Sequence, residues 1–586
     1  MNNPLLFLQS LSRRKKNQQL GLAGLSVLLL AGCGENNQST QSKKTPTEKP
    51  QVQMTTKTAN PFDSSDFKAA YESISIPNLK KHIQYLSSDE LGGREPATEG
   101  DKMTATYLVN AFKKLGLKPG NGDSYLQPVD LLAINSTVSQ GLTIGDMEFT
   151  NTENYVATTR NKEKVISLKD SELVFVGYGI NAPEFEWNDY QGLDVTGKTV
   201  VILVNDPGYA TQDPDVFSGK TMTYYGRWTY KYEEAARQGA KGAIIIHETE
   251  PASYGWNVIK TGWSGTQYHL PRNENSGPVV DVELWLDVNK TQALFTKAGL
   301  DFQKEKLRAQ TRGFTPISLG MTASVEVTSE FSQSISNNVV AVLPGSEQAD
   351  EHIIYMAHID HLGTDTSLEG DQIYNGAHDN ASGTGAIIEI ASAYSSLKNR
   401  PRRSITFIGA AAEEQGTLGS KYFADNSTVA LSKIVGLINM DSINITGRKK
   451  DLSVTGFGKS ELEEVLAKAA ALQNRTLTPE AHPERGYYFR SDHFSLAKKG
   501  VPALSVGGGT VALNETEEAI NKLIGERVSR CYHQLCDEYA QDWGWDGAKE
   551  DLQLYFATGY LLSTSDQWPN WYQGTEFRLL RDEMMK

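Results

Sequence analysis

Ile353-Ile354-Tyr355-Met356-Ala357-His358-Ile359-Asp360-His361 is an apolar run that ends in imidazole and carboxylate groups. Asn375-Gly376-Ala377-His378-Asp379-Asn380-Ala381-Ser382-Gly383 follows, an acidic group set in a turn of small residues. Ala411-Ala412-Glu413-Glu414-Gln415-Gly416 then carries an acidic pair, and Ile438-Asn439-Met440-Asp441 closes the stretch. Each ionisable group follows a strand-like run or sits in a tight turn. An α/β sheet presents side chains in this way to the crevice at the carboxyl ends of its strands. A His, two Asp and a Glu pair converging there suit a borderline cation such as zinc, held by imidazole nitrogen and carboxylate oxygen.

Outward from this stretch the pattern alternates. Strands are expected at Val339–Leu343, Ile353–Ala357, Ser404–Gly409 and Ile434–Ile438, with helices at about Gly383–Leu397 and Gly419–Phe423. The helix Glu461–Leu472 and the strand-like Ala503-Leu504-Ser505-Val506 extend the series. Alternation of this kind implies a mainly parallel, mixed α/β sheet flanked by helices. Nearer the N-terminus, Ile76–Leu86 and Glu99–Leu117 read as amphipathic helices, the second capped by Thr98 and ended by Gly116. The turn between them, Leu91-Gly92-Gly93-Arg94-Glu95, carries Arg94, which is within reach of a substrate but for which a surface salt bridge is the favoured expectation.

Residues 151–331 differ in character. Leu173–Val176 and Thr199–Val204 read as strands, Tyr232–Gln238 as a helix ended by Gly239, and Gly242–Ile246 as a further strand. No cluster of candidate ligands occurs here, and the isolated His247 and His269 are read as structural. The pattern resembles the protease-associated domain, a small α+β or β module inserted into exported peptidases. The resemblance implies a lid or substrate-filtering role.

The 586 residues are too many for one ordinary core, so two or more domains are expected. A formal charge of −14, without a basic stripe and interleaved aromatics, argues against a nucleic-acid surface. The N-terminus reads as a targeting segment: Arg13, Arg14, Lys15 and Lys16 precede an apolar run from Leu20 to Leu30. That run is shorter than the roughly 20 residues needed to span a bilayer. Its end, Leu30-Ala31-Gly32-Cys33, resembles the bacterial lipobox, which implies residues 1–32 as a signal peptide and Cys33 as a lipidated N-terminus anchored to membrane lipid. Residues 33–64 then read as a flexible tether with little to bury. Gly34 is not a retention aspartate, which favours the outer membrane of the cell envelope. With Cys33 lipidated, Cys531 and Cys536 remain as an even pair that an exported chain can oxidise. So short a loop gains little from closure, and holding the intervening His533 in place is the more useful role.

Together His358-Ile359-Asp360, the Asp379 turn, Glu413-Glu414, Asn439-Met440-Asp441 and Cys531-Tyr532-His533-Gln534-Leu535-Cys536 resemble, in order, the di-zinc exopeptidase family of secreted bacterial aminopeptidases, aminopeptidase Y and glutamate carboxypeptidase II. The resemblance implies the zinc exopeptidase (phosphorylase/hydrolase-like) fold over residues 65–150 and 332–586, interrupted by the inserted module. It implies two zinc ions: His358 and Asp441 on one, Glu414 and His533 on the other, and Asp379 bridging them. A carboxylate shared by two cations holds them about 3.5–4 Å apart, as two-metal hydrolytic sites require.

Glu413 takes the family's general-base role, Asp360 that of a carboxylate orienting His358, and Tyr532 that of an oxyanion donor. Arg490-Ser491-Asp492-His493 resembles a segment lining the substrate side, with Arg490 the residue to contact substrate and His493 structural. His361 and His378 flank the motif positions. The implied activity is release of N-terminal residues from peptides. A carboxypeptidase or a glutaminyl-cyclase-like enzyme on the same scaffold is the alternative, and a non-catalytic receptor-like binding module a further one. The first needs a cationic clamp for a free carboxylate; the second keeps a single zinc; the third has lost ligands, and none of the five is missing here.

Overall fold

The computed structural model describes residues 60–274 and 276–586. Cys33 and most of the expected tether lie outside them.

The strand that ends in His358 runs from Gln348 to His358 and sits inside a large mixed sheet. It pairs in parallel with Arg403–Ala410 on one side and Ile434–Asn439 on the other. Ala503–Gly508 joins Ile434–Asn439 in parallel, followed outward by Asp451–Thr455 and Thr476–Pro479. Side chains alternate between the faces, as strand geometry demands. Ile353, Tyr355 and Ala357 pack with helices Ile76–Leu86, Gly383–Ser396 and Trp545–Thr564. Ile354 and Met356 enter a second apolar cluster with Phe423, Leu496 and Trp571. Cover on both faces explains why the strand is apolar throughout rather than alternating. Helix Glu99–Lys114 is capped by Thr98, whose hydroxyl accepts the Asp101 amide.

Two long antiparallel strands, Leu126–Ile144 and Ile317–Leu343, carry the sheet onward. The boundary expected at residues 331 and 332 falls inside the second of these. Beyond it Val165–Phe175, Thr199–Leu203, Gly242–His247 and Val282–Asp287 pair in parallel, and Tyr155–Thr158 closes that edge antiparallel. Helix Trp228–Arg237 covers this part with Tyr232 and Ala235 buried. The second apolar cluster is continuous across the long strands, since it also holds Phe175, Val201 and Ile244. No helix among the described residues is long and apolar enough to cross a membrane.

Candidate metal centre

His358 is the last residue of its strand, and the ends of the neighbouring strands bring the other groups to it. Its Nε2 lies 3.2 Å from Asp379 Oδ1 and 3.3 Å from Asp441 Oδ1. His533 Nε2 lies 3.1 Å from the other Asp379 oxygen and 3.1 Å from Glu414 Oε2. Asp379 therefore faces both imidazoles, one through each oxygen. Donor atoms of His358, Asp379 and Glu414 all fall within 4.8 Å of one another. All five expected ligands share one cluster.

The backbone around the cluster is tied down group by group. Asn380 donates from Nδ2 to Met440 O and accepts the amides of Gly383 and Ser442 on Oδ1, which couples the Asp379 turn to the strand end carrying Asp441. Thr384 Oγ1 donates to His358 O at 2.7 Å. Gly376 holds φ +56°, and a Cβ there would stand 2.5 Å from the His361 ring and 2.3 Å from Asp379 O, so the turn needs glycine. Asn338 Oδ1 accepts the Ala411 amide and steers the segment leading to Glu413 and Glu414. Cys531 and Cys536 are joined by a disulfide across the loop carrying His533.

Asp360 acts differently from the expected orienter of an imidazole. Its carboxylate accepts the amides of Glu413, at 2.9 Å, and Glu414, at 3.2 Å, while its Oδ1 stands 3.9 Å from His358 Nδ1. The imidazole Nδ1 faces the Asp360 carbonyl instead, at 3.3 Å. Asp360 thus shapes the acidic turn rather than holding the ring.

Arg94 also departs from its expectation. It is buried at 1% exposure, and its guanidinium donates to the carbonyls of Leu86, Ile359, Asn375 and Gly376. A surface salt bridge was the wrong environment: the glycine turn folds inward, and the guanidinium knits together the chain segments beneath the cluster.

Three further residues join the site. His361 Nδ1 stands 2.7 Å from Glu414 Oε1. Asp537 accepts the amides of His378 and Asp379, pinning the Asp379 turn to the loop that holds His533. Asp492 is buried at 1% exposure with neither oxygen hydrogen-bonded, and burial, partly offset by His358, raises it to about 6. No spacing rule marks Asp537; only its position directly after Cys536 hinted at the site. His378 Nε2 faces Ile443 O at 3.1 Å, and His493 packs edge-on against Tyr488, 4.6 Å away. Arg490 donates to Arg485 O at 2.6 Å and lies over the Tyr487 ring. Tyr532 is 59% exposed and stacks on His533, its hydroxyl within electrostatic reach of Asp379, Glu414, Asp441 and Glu413.

The cluster holds more carboxylates than cations. Burial raises Glu413 well above the usual carboxylate range; His358 opposes this, while Asp441, Asp492 and Glu414 reinforce it. Burial would also raise Asp379, but hydrogen bonds to His358 and His533 hold it well below that range. Burial disfavours a charged His533, yet Asp379 and Glu414 push the ring up to about 10. The carboxylates draw positive charge from whatever groups they face. An imidazole and carboxylate donor set with one carboxylate between two imidazoles fits zinc, and no thiolate or thioether directs it toward a softer ion.

The fold and this donor set define an α/β protein with a carboxylate–imidazole cation centre at the strand ends. Residues 338–557 match the model of Peptidase family M28. Leupeptin-inactivating enzyme 1 of Streptomyces exfoliatus is 29% identical over 247 residues, 41% of this chain and 50% of that protein. A probable zinc metalloprotease of Leptosphaeria maculans is 30% identical over 143 residues, 23% of this chain and 32% of that protein. Aminopeptidase Y of Saccharomyces cerevisiae is 29% identical over 188 residues, 30% of this chain and 32% of that protein. The chain thus spans half or less of the length of these relatives.

Proposed function

We propose that the protein is a zinc-dependent aminopeptidase that releases N-terminal residues from peptides. The observation that carries the reading is Asp379, set between His358 and His533 in a buried cluster rich in carboxylate. The names of the relatives, a zinc metalloprotease and an aminopeptidase among them, support it. His358 and Asp441 would hold one ion, Glu414 and His533 a second, and Asp379 both. Zinc so held supplies Lewis acidity, polarising a carbonyl and lowering the pKa of water toward neutrality.

The chain's own groups do the rest. Glu413, made more basic by burial and its acidic neighbours, accepts a proton from the attacking water and delivers it to the leaving amine. Tyr532 donates its hydroxyl to the developing oxyanion. Asp360 fixes the turn that points Glu413 and Glu414 apart. Negative charge from Glu413 and Asp441 receives the substrate's free α-amino group, and Arg490 contacts the substrate beyond the scissile bond.

The same proposal covers the rest of the chain. Residues 151–331 act as an inserted protease-associated module between the two parts of the peptidase domain, 65–150 and 332–586. Residues 1–32 are a signal peptide, and Cys33 carries lipid that anchors an exported lipoprotein to the cell envelope, with the outer membrane favoured. An oxidising compartment of that kind suits the Cys531–Cys536 disulfide.

Aminoacyl p-nitroanilides, each with a free or an acetylated α-amino group, test the activity. Cleavage restricted to the free amines, abolished by chelation and restored by zinc, is the expected result. Equal cleavage of the acetylated series contradicts an aminopeptidase.

A further inference from the structure

Asp360 and His361 are neighbours in the chain, and both reach the turn that carries Glu414. Asp360 takes the main chain, accepting the Glu414 amide at 3.2 Å. His361 takes the side chain: its Nδ1 stands 2.7 Å from Glu414 Oε1. A glutamate that ligates a metal is ionised and can only accept, so the proton of this bond lies on Nδ1. The other oxygen, Glu414 Oε2, faces His533 Nε2 at 3.1 Å, and that same nitrogen stands 3.1 Å from Asp379 Oδ2. The two Glu414 oxygens are therefore divided. Oε2 turns to the expected ligands, and Oε1 is taken by a ring outside that set. Among the described residues, only these two rings hydrogen-bond the Glu414 carboxylate.

The His361 ring is set for this one bond. It is wholly buried, and its Nε2 has no hydrogen-bond partner among the described residues. Packing fixes its plane. A Cβ on Gly376 would stand 2.5 Å from ring carbons Cγ and Cδ2, so only glycine leaves the ring its place. The His533 ring meets it edge-on, with centres 5.8 Å apart. Arg94 braces the chain on two sides: its carbonyl accepts the His361 amide at 3.3 Å, and its guanidinium donates to Gly376 O at 2.9 Å. His378, the other histidine beside a motif position, makes no such contact and turns its Nε2 to Ile443 O.

A carboxylate that binds a cation through both oxygens fills two coordination positions, and one that binds through a single oxygen fills one. Catalytic zinc sites keep a position open, and hydrogen bonds from behind a ligand fix its orientation and raise metal affinity. We propose that His361 is a positioning residue of the metal centre: it holds Glu414 Oε1 so that Oε2 alone meets the ion, which leaves a coordination position for substrate. This inference rests on the zinc reading above and extends it to a residue outside the five ligands.

The test is metal binding by the full chain, stripped with a chelator and titrated with zinc against a chromogenic competitor. Wild type is compared with His361→Leu, which keeps bulk but loses the donor, and His361→Asn, whose amide nitrogen falls near the Nδ1 position. His361→Leu should weaken at least one zinc step by about tenfold or more, as expected when the hydrogen bond behind a ligand is lost. His361→Asn should recover most of that loss. At saturating cobalt, His361→Leu should also show weaker visible absorption per ion, because a glutamate free to bind through both oxygens raises the coordination number. His361→Gln, whose amide reaches past the Nδ1 position, replaces the leucine variant if that protein does not fold. Equal zinc affinities and equal cobalt spectra in all the proteins overturn the role and leave the zinc reading standing. Equal losses in the leucine and asparagine variants assign the effect to the bulk of the ring and overturn it as well. A wild type that takes up no zinc overturns the inference together with the reading beneath it.

Discussion

Both halves of the molecule bury ionisable groups, but they settle the charge in opposite ways. In the segment proposed as an insertion, Lys231 is fully buried, donates to Tyr178 O at 2.7 Å and sits near Asp206 and Asp189. Burial pulls the lysine down to about 7, the two carboxylates oppose that, and the aspartates are themselves bound by amides and a tryptophan N–H. That cluster needs nothing from outside. At the strand ends of the peptidase half, Asp360, Asp379, Glu413, Glu414, Asp441 and Asp492 gather around His358, His361 and His533. Acidic groups outnumber the imidazoles by six to three; burial raises Glu413 and Asp492 here as it raises Asp189 and Asp206 in the other cluster, so what separates the two is the surplus of acidic groups. A buried cluster whose charges nearly cancel stabilises a fold; one with a large surplus of one sign is built for a ligand of the other.

The largest expected effect falls on Glu413, the group proposed to move the proton. Glu413→Gln should lower kcat by about 10³, within the range for loss of a general base, while zinc content stays at the wild-type level. Loss of zinc together with activity would instead make Glu413 a ligand. Next comes the self-sufficient cluster. Lys231→Met leaves Asp189 and Asp206 without their cation and should cost about 3 kcal/mol in denaturant unfolding, with no change in bound zinc. A drop in zinc content would break the separation drawn between the halves. Asp537→Asn, which weakens the clamp on the Asp379 turn, should reduce zinc affinity by about tenfold in competition with a chromogenic chelator. Unchanged affinity would show that the turn holds its shape without that carboxylate. The smallest effect is thermal. Chelation should lower Tm by several degrees, because an ion bound only by the folded state stabilises it by mass action. An unchanged Tm would mean the acidic surplus is tolerated without a cation.

Much of this was legible in the sequence. The strand ending at His358 shows itself because a strand covered on both faces is apolar at every position, and the ligand residues stand at run ends and in small-residue turns. Helix Trp545–Thr564 was harder to see: it is buried on nearly all sides and so has no polar stripe to betray a helical period. Strand Ile317–Leu343 hid the junction between the halves, since its polar positions resemble a linker although it pairs continuously with Leu126–Ile144. Arg94 misled for a local reason, because a Gly-Gly turn reads as exposed and only the tertiary fold turns it inward. Asp360 and Asp537 illustrate a further limit: which backbone amides a carboxylate binds is set by chain segments far away in sequence.

The most direct test of the central claim is a zinc titration of the chelated protein, followed by hydrolysis of leucine p-nitroanilide. The proposal that Asp379 is shared between two ions predicts that activity rises to a plateau at two equivalents of zinc per chain. A plateau at one equivalent, or no activity at any zinc concentration, would contradict the account.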